Sequence, residues 1–438
     1  NIEAAKAALE NSEWAGLNAT QRGHLLRRLG DLAAENAERL GALEVKDNGK
    51  LIAEMGMQCQ YLVQWYYYFA GLADKIEGAV LPIDKPATFT YTRQEPLGVC
   101  VLITPWNSPL LLLAWKLAPA LAAGNTVVVK PSEFTSASTL AFADLVEKAG
   151  FPKGVFNVIT GFGKEVGEPL VVHPDVAKVA FTGGALSGAH VYQQAAASLK
   201  KVSLELGGKN ATIIRADVDM DSMMSGIVRA SFLNQGQVCL CGSRILIHES
   251  IYDSFVKAFL DAVTDMTVGD PADEETELGA LISEDHRNKV LSYVDLAEDE
   301  GGIILCGGGP PVGIPDAFER GFWVSPTVID GLAPDSRCAT EEIFGPVVTL
   351  HPFSDDEEAI EIANMTDYGL AGSIWTRDVD AGSAMAERID SGMIWVNCWL
   401  HRDLRVPFGG VKNSGVGREG GRWSLGFFSE AVNICVKH

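Results

Sequence analysis

Hydrophobic and polar positions in residues 1–80 repeat at helical spacing. Leu25 and Leu26 are followed by two arginines and then by Leu29, which is the spacing that one buried helix face requires. An aromatic run at residues 65–69 lies in a second helical segment. Because aromatic stripes at this spacing more often pack in a core than bind a ligand, we predict that the run is buried.

The pattern changes between residues 79 and 97. Pro82 and Pro86 cannot donate hydrogen bonds to a strand ladder, and threonine alternates with aromatic residues over 88–92. This combination predicts an edge hairpin.

From residue 98 onward, short apolar runs alternate with helical segments. The first predicted strands cover 98–104, 125–130, 155–160, 176–181 and 201–206, with helices at 109–123, 136–149 and 187–197. After Gly208, predicted strands cover 211–214, 244–248, 303–305, 347–352, 372–375 and 393–396, with helices at 250–267 and 355–364. Apolar strands separated by helices form parallel sheets that helices cover on both faces. We therefore predict an α/β fold with two open parallel-sheet domains, followed by a lone strand at 427–436.

Composition places the chain among globular proteins of more than one domain. It has 438 residues, of which 47% are hydrophobic and 21% are charged. The net charge of −22 repels nucleic acid and anionic membranes, so we expect neither as a partner. The most apolar run, 109–129, is interrupted by Lys116, Pro119 and Gly124, so we expect no membrane span there.

Cysteine and histidine spacing bears on compartment and metal binding. Among eight cysteines only Cys239 and Cys241 are closely spaced, which argues against a disulfide framework and for a reducing compartment. Eight histidines form no His-x-x-x-His pair, so we predict no metal site. We expect a cytoplasmic protein. Because the chain begins at Asn1 without an initiating Met, we also expect that the natural protein has a preceding segment.

Residues 232–241, Phe-Leu-Asn-Gln-Gly-Gln-Val-Cys-Leu-Cys, are the first candidate for chemistry. Gly236 allows a sharp backbone turn that exposes the following side chains, and residues 244–247 then have the pattern of a buried strand. A thiol at such a turn can meet a substrate. Since free cysteine is among the most buried residue types, composition alone favours packing for both Cys239 and Cys241.

Polar residues also follow several predicted strands. In Thr-Pro-Trp-Asn-Ser-Pro at 104–109, the Asn107 amide stands where it can stabilise an oxyanion or cap the helix. Lys130 and Glu133 follow a valine-rich strand at a sheet edge that binds ligands, although a solvated ion pair has the same pattern. Glu205 precedes Gly-Gly between the domains, where it is either a buried base with a raised pKa or a surface residue.

Two glycine-rich stretches have the composition of phosphate-binding loops. Residues 161–167 contain Gly-Phe-Gly and a third glycine, which is a weak dinucleotide fingerprint on its own. Residues 181–188 place glycines before a helix N-terminus, whose free N–H groups suit a diphosphate. Glu-Glu-Ile-Phe-Gly-Pro at 341–346 and Pro-Phe-Gly-Gly at 407–410 occur later in the chain.

Taken together, these stretches resemble the motifs of the aldehyde dehydrogenase superfamily in their expected order, over essentially the whole chain. The resemblance implies the family fold, with a dinucleotide-binding domain at 1–79 and 98–206, a catalytic domain at 207–424, and an oligomerisation element at 80–97 and 425–438. It also implies an NAD(P)+-dependent, non-acylating enzyme that forms a homodimer or homotetramer. The implied substrate is a small-molecule aldehyde, which is oxidised to a carboxylic acid.

The resemblance assigns a role to each motif. It implies that Cys239 is the nucleophile, that the Asn107 amide and the Cys239 backbone N–H hold the oxyanion, and that Glu205 activates water. The implied cofactor is NAD, and NADP is disfavoured because the Glu133 carboxylate would repel a 2′-phosphate. The implied cofactor contacts are Thr104, Trp106, Lys130, Ser132, Glu133, Gly163, Gly167, Gly183, Gly184, Gly188, Leu206, Glu342 and Phe344. Family members often carry Ser where Gly184 stands, so one hydroxyl contact to phosphate is missing.

Within this family, residues 396–405 resemble the hydroxymuconic and aminomuconic semialdehyde dehydrogenases, which hold substrate carboxylates with arginine. The implied carboxylate ligand is Arg402, Tyr61 takes the place of a second arginine, and Cys241 adds to the likeness as a residue of the substrate wall. Because Tyr61 has no positive charge, we expect a semialdehyde with one carboxylate or another polar group. Alternatively, Arg402 pairs with a surface carboxylate, and the enzyme is a broad-specificity aldehyde dehydrogenase.

Two other functions are consistent with the same motifs. An acylating relative would pass the thioester to coenzyme A, but such relatives generally lack a base of the Glu205 type. A non-enzymatic structural relative would tolerate the loss of Cys239 or Asn107, and both residues are present.

Overall fold

The chain is built from two open sheets, two short two-stranded sheets and the helices that cover them. A computed structural model describes residues 1–314 and 316–438. The strands are β1 (Thr88–Pro96), β2 (Val99–Ile103), β3 (Thr126–Lys130), β4 (Phe156–Val158), β5 (Val176–Thr182), β6 (Lys201–Glu205), β7 (Ala211–Ile214), β8 (Arg244–His248), β9 (Ile303–Cys306), β10 (Thr327–Asp330), β11 (Val347–Phe353), β12 (Tyr368–Gly369), β13 (Ala371–Trp375), β14 (Met393–Val396), β15 (Val411–Lys412), β16 (Gly415–Val416) and β17 (Ser429–Lys437).

The helices pack on both faces of the large sheets. They are α1 (Ile2–Glu10), α2 (Ser12–Ala15), α3 (Ala19–Glu35), α4 (Ala37–Asn48), α5 (Ile52–Leu72), α6 (Pro109–Ala122), α7 (Ala137–Ala149), α8 (Glu168–Val172), α9 (Ala185–Ala196), α10 (Met220–Phe232), α11 (Tyr252–Thr264), α12 (Glu284–Asp299), α13 (Arg337–Thr340), α14 (Asp356–Asn364), α15 (Val379–Ala386) and α16 (Gly421–Phe428). Among the helices of the described ranges, none is both long enough and apolar enough to span a membrane.

The two large sheets confirm the predicted parallel α/β fold. The six-stranded sheet has the order β16-β6-β5-β2-β3-β4, and its pairs are parallel except for β16 with β6. The seven-stranded sheet has the order β14-β13-β7-β8-β11-β10-β9, and its pairs are parallel except for β10 with β9. Strand β16 comes from the C-terminal part of the chain, yet it joins the first sheet beside Glu205.

The predicted core positions are buried. The consecutive valines 127–129 of β3 have no exposed surface, as expected for a central strand between two helical layers. In α5, Trp65, Tyr66 and Phe69 are buried as predicted, whereas Tyr67 and Tyr68 are partly exposed, so the prediction of a buried run holds for one face of the helix. The Trp65 ring stacks on the Trp115 ring of α6 with centroids 5.3 Å apart, and this contact restricts the position of Trp115.

Two predicted elements differ in the structure. The predicted hairpin at 79–97 is instead a ribbon in which β1 pairs along its length with β17, and an isolated bridge joins Val80 to Tyr91. Pro82 and Pro86 remove backbone donors from the first arm, so β1 takes its long partner from the C-terminus. The lone strand predicted at 427–436 begins at Ser429, because the two preceding phenylalanines end α16 and Phe428 packs in the core.

The carboxyl edge of the six-stranded sheet gathers most of the predicted motifs. Strands β2, β3, β5 and β6 end there, so the segments that begin at Thr104, Lys130, Gly183 and Glu205 lie along one edge. Open α/β sheets bind ligands at this edge.

Candidate active site

The candidate nucleophile follows a strained turn. After α10 the chain forms a 3-10 turn in which Asn234 and Gln235 have φ values of 51° and 55°. Gly236 has a φ of 68°, and a Cβ added there would lie 2.0 Å from the carbonyl oxygen of Gly345. Left-handed backbone is costly for residues other than glycine and persists only where the surroundings hold it. The turn brings Cys239 to the wall of an adjacent cavity.

This cavity, which we call the substrate cavity, has a volume of about 380 Å³. Cys239, Asn107 and Glu205 all line it, together with Arg402 and Tyr61. Its apolar wall is formed by Leu111, Leu112, Trp115, Val238, Leu240, Leu400 and Phe408. A largely apolar cavity with a few converging polar groups is the usual form of a small-molecule site.

The environment of Cys239 favours the neutral thiol. Burial raises the pKa of this thiol to about 12, and the carboxyl groups of Glu342 and Glu205 act in the same direction. The Arg402 guanidinium lowers the pKa. Because the thiolate is the nucleophile, reaction at Cys239 depends on removal of its proton and on nearby positive charge.

The Asn107 side chain points at the nucleophile loop. Its Nδ2 donates a hydrogen bond to the Gln237 carbonyl at 2.9 Å, two residues before Cys239. The alternative role as a helix cap does not hold, since Ser108 occupies the N-cap position of α6. The backbone N–H of Cys239 lies close enough to its own sulfur to lower the pKa of the thiol. The Cys239 N–H therefore lies beside the sulfur, and the Asn107 amide lines the same cavity, as an oxyanion site requires.

Glu205 ends β6 with its carboxyl group inside the protein. Neither carboxylate oxygen has a hydrogen-bond partner among residues 1–314 and 316–438. Burial raises the pKa of Glu205, and the negative charge of Glu419 raises it further, whereas Lys116, Arg418 and Arg402 lower it. A cavity-lining carboxyl group of this kind can accept a proton near neutral pH. The alternative of a surface residue at a strand end is therefore wrong.

A second cavity, of about 560 Å³, follows the carboxyl edge of the six-stranded sheet. The predicted cofactor residues that line it are Thr104, Trp106, Lys130, Ser132, Glu133, Gly163, Gly167, Gly183 and Gly184. A Cβ added at Gly163, Gly167 or Gly184 would meet no atom of the described chain within 4 Å, so these glycines leave the cavity open. Helix α9 begins directly after Gly184, and its free N–H groups suit phosphate. The residues thus fit a dinucleotide, and we call this the dinucleotide cavity.

A smaller space of about 210 Å³ joins the two cavities. It shares Trp106 and Gly183 with the dinucleotide cavity, and it shares Cys239 with the substrate cavity. Leu206, Glu342 and Phe344 line this joining space, together with Glu205. A ring bound here would therefore lie beside both candidate catalytic side chains.

Gly188 is a packing residue rather than a wall of the dinucleotide cavity. A Cβ added at this position would lie 2.3 Å from the Leu206 side chain. The glycine therefore allows α9 to approach the end of β6, and the prediction of a cofactor contact at Gly188 is corrected.

Arg402 packs in the substrate cavity against two aromatic rings that contact each other, with centroids 4.8 Å apart. Its guanidinium carbon is 4.2 Å from the ring centroid of Trp115 and 4.3 Å from that of Phe408. Burial lowers the pKa of Arg402 to about 10, so the side chain stays cationic at neutral pH. Within the described ranges its Nε has no hydrogen-bond partner. The alternative of a surface ion pair is therefore wrong.

Tyr61 and Cys241 take different positions. Tyr61 lines the substrate cavity, and its hydroxyl oxygen accepts a hydrogen bond from the Leu404 backbone N–H at 3.1 Å, which leaves the hydroxyl proton available. Cys241 is buried in the hydrophobic core, where its Sγ lies 3.8 Å from the Leu233 carbonyl oxygen. The predicted contact of Cys241 with substrate is corrected, because the cavity wall is formed by Leu240 instead.

Sequence patterns miss several residues of the site. Lys50, Glu54 and Arg229 line the substrate cavity, and His286 and Lys289 line the joining space. Except for Arg229, which lies three residues before the nucleophile motif, these residues belong to loops and helices outside the recognisable motifs. A Lys and a Glu four residues apart at the start of a helix were the one available signal, and this spacing also occurs on ordinary solvated helices.

Known proteins are similar to this chain in sequence and structure. A family model described as the aldehyde dehydrogenase family matches residues 1–434. The 2-aminomuconic semialdehyde dehydrogenase of Bos taurus is 44% identical over 439 residues, which cover 100% of this chain and 90% of that protein. The 2-aminomuconic 6-semialdehyde dehydrogenase of Pseudomonas sp is 43% identical over 445 residues, with coverage of 100% and 89%.

Among solved structures, the betaine aldehyde dehydrogenase of Staphylococcus aureus in complex with NAD+ superposes with a TM-score of 0.97. It is 40% identical in sequence, and the match covers 100% of this chain and 86% of that one. The fold, the cavities and a family model that spans nearly the whole sequence agree, and the chain belongs to the aldehyde dehydrogenase family.

Proposed function

We propose that this aldehyde dehydrogenase oxidises a semialdehyde with one carboxylate, with NAD+ as the oxidant and Cys239 as the nucleophile. The observation that carries the proposal is a single cavity in which Cys239, Asn107 and Glu205 converge with a half-buried, cationic Arg402. The joining space opens this cavity toward the dinucleotide cavity, so the two substrates meet at the thiol.

In the first step the Cys239 sulfur attacks the aldehyde carbon. A C–S bond forms, the carbonyl π electrons move to oxygen, and the thiol proton leaves to solvent. The Asn107 amide and the Cys239 backbone N–H then donate hydrogen bonds to the oxyanion. To do so, the amide exchanges the Gln237 carbonyl for the substrate oxygen.

The second half of the reaction releases the acid. When bound, the nicotinamide supplies the hydride acceptor, so that the adduct on Cys239 becomes a thioester. Glu205 takes a proton from a water molecule as that water attacks the thioester carbon. The C–S bond then breaks, the carboxylic acid leaves, and Cys239 returns as the thiolate. Because the pKa of Glu205 is raised, its carboxylate is a stronger base than an exposed one.

We expect Glu205→Gln to slow thioester hydrolysis far more than hydride transfer, because an amide cannot take a proton from water. Stopped-flow absorbance should show a burst of about one reduced cofactor per active site, followed by a slow steady state. In the wild type, steady-state turnover should fall as the pH drops through the raised pKa of Glu205, since the protonated carboxyl is not a base. The variant should lose this acid limb.

Two cysteine variants control this experiment. Cys239→Ala should abolish both phases but retain cofactor binding. Cys241→Ala should lower turnover much less, because Cys241 packs in the core and does not line the substrate cavity. Equal loss of the burst and the steady state in Glu205→Gln would mean that Glu205 activates the thiol or supports the fold.

We also propose that NAD+ is preferred over NADP+. On the wall of the dinucleotide cavity, Lys130 Nζ lies 3.0 Å from Glu133 Oε2. A carboxylate there accepts a hydrogen bond from a ribose hydroxyl and repels a 2′-phosphate. Glu133→Gln should therefore reduce the kcat/KM ratio of NAD+ to NADP+ by about tenfold, which corresponds to ~1.4 kcal/mol.

Glu168→Gln is the matched control for cofactor choice. Glu168 lines the same cavity but pairs with His190, so its loss should leave the cofactor ratio unchanged. A wild-type enzyme with the higher kcat/KM for NADP+ would contradict the assignment.

The surroundings of Arg402 support a substrate with a carboxylate. A planar guanidinium that packs against two rings on one side presents its N–H groups for bidentate hydrogen bonds to an anion. The Tyr61 hydroxyl can donate one further hydrogen bond. The lysine of the cavity wall, Lys50, already forms an ion pair with Glu54. Relatives named as semialdehyde dehydrogenases agree with this choice.

We expect Arg402→Met to raise KM for a carboxylated semialdehyde by about 10- to 100-fold, which corresponds to ~1.5–3 kcal/mol for hydrogen bonds to a charged group. Methionine keeps an apolar contact with the two rings, so KM for a neutral aldehyde of similar size should not change. Arg405→Met is the matched control, because Arg405 is exposed and pairs with Asp403. Equal effects on both substrates would mean that the enzyme is a general aldehyde dehydrogenase.

We propose that each large sheet belongs to a separate functional domain and that the chain self-associates. The six-stranded sheet serves the dinucleotide-binding domain, the seven-stranded sheet serves the catalytic domain, and the β1–β17 ribbon is the oligomerisation element. Strand β14 ends the order of the seven-stranded sheet, and β17 carries the exposed residues Val432 and Val436. Such edges pair readily with another strand, and a second copy of this chain supplies one.

Light scattering should therefore give the mass of a homodimer or homotetramer. Replacement of Val432 and Val436 by lysine should shift the mass toward the monomer, because the edge then carries repelling charges. A monomeric wild type would contradict the proposal.

The eight cysteines, all within the described residues, carry free thiols. This fits a reducing compartment, and we propose a cytoplasmic location.

A further inference from the structure

A buried ion pair lies between the two loops that carry the proposed catalytic groups. Lys50 precedes α5 and Glu54 lies in its first turn, with Nζ and Oε2 3.5 Å apart. Their side chains are 2% and 9% exposed, and both residues line the substrate cavity. Neither residue belongs to a motif that the sequence identifies.

Lys50 contacts the loop of the oxyanion donor. Its Nζ donates a hydrogen bond to Ser108 Oγ at 3.2 Å, one residue after Asn107. On the other side of Asn107, the Asn48 Nδ2 donates to the Trp106 carbonyl at 3.3 Å. The segment before α5 therefore holds the residues on both sides of the Asn107 amide.

Glu54 contacts the loop of the nucleophile. Its Oε1 accepts a hydrogen bond from the Asn234 backbone N–H at 3.3 Å, at the start of the left-handed turn. The Asn234 side chain donates to the Gln237 carbonyl at 3.1 Å, and this carbonyl also accepts from Asn107. The ion pair thus links the two loops on one side, and Gln237 links them on the other.

We propose that Lys50 and Glu54 are positioning residues that set the oxyanion donors in register with the Cys239 sulfur. Buried ion pairs contribute little net stability, because desolvation offsets their attraction. Their effect here is geometric, since a reacting group displaced by about 1 Å can lose about 100-fold in rate. Lys50 also neutralises a carboxylate in a cavity that admits an anionic substrate. The inference rests on the proposed roles of Asn107 and Cys239.

The test uses the double variant Lys50→Met with Glu54→Leu, which removes both charges and leaves neither one buried alone. Three quantities are measured: the rate of hydride transfer in the first turnover, the rate of Cys239 alkylation by iodoacetamide, and the Kd of NAD+. Alkylation displaces iodide and forms no carbonyl oxyanion, so it reports on the thiol without the oxyanion donors. We expect hydride transfer to fall by about 100-fold, with the alkylation rate and the Kd unchanged.

Ser108→Ala is a second variant that leaves the ion pair intact and removes its contact with the oxyanion loop. It should lower hydride transfer in the same direction but by less. Glu44→Gln is the matched control for a buried carboxyl, because its partners are the Leu110 N–H and Ser138 Oγ, and its pKa is raised to about 7 by burial. We expect its hydride-transfer rate to equal that of the wild type.

A double variant with unchanged hydride transfer would overturn the proposal. A parallel fall in hydride transfer, alkylation and NAD+ affinity would also overturn it, because the pair would then only support the fold. Failure of the proposed function is separate, since it would appear as an inactive wild type or an active Cys239→Ala.

Discussion

The geometry of the site depends on one backbone carbonyl, that of Gln237. Asn107 Nδ2 and Asn234 Nδ2 both donate to it, at 2.9 Å and 3.1 Å. One donor comes from the edge of the six-stranded sheet and the other from the strained turn after α10. Because both loops share this acceptor, the same group places the Asn107 amide, the proposed oxyanion donor, and the Cys239 thiol, the proposed nucleophile. Close packing of Gly236 on Gly345 holds the turn from the opposite side.

Two buried ion pairs, and two side chains whose buried atoms lack a hydrogen-bond partner in the described ranges, have different consequences in this enzyme. Lys116 pairs with Glu419, and Lys50 pairs with Glu54, so these charges are compensated inside the protein. Glu205 and Arg402 have buried polar atoms without a hydrogen-bond partner among the described residues, and both face the substrate cavity. A buried polar group without a hydrogen-bond partner destabilises the folded protein unless a ligand supplies that partner. In the proposed function, a water molecule supplies a hydrogen-bond partner for Glu205, and a substrate carboxylate supplies one for Arg402.

The C-terminal part of the chain contributes to the position of Glu205, the proposed base. Glu205 ends β6, and β16 pairs with β6 so that Gly415 lies opposite Glu205. A Cβ at Gly409 would lie 2.9 Å from a carboxylate oxygen of Glu205, so a glycine at this position allows the C-terminal segment to pass directly over the base. This close approach excludes much of the solvent, which raises the pKa of Glu205. The C-terminal glycine motif therefore acts on catalysis through packing.

The sequence by itself determined the parallel α/β fold, because apolar runs separated by helices have one stable arrangement, and it determined the nucleophile motif around Cys239. Only tertiary structure decided what lies across the cavity from these motifs. The contact of Arg402 with the Trp115 and Phe408 rings, the contacts of Lys50 and the pairing of β1 with β17 join residues hundreds of positions apart or on separate elements. Local pattern reports which face of an element is apolar, and it carries no information about which distant side chain that face meets. Cys241 shows the same limit, since its place in the core depends on a turn geometry that its neighbours in sequence do not reveal.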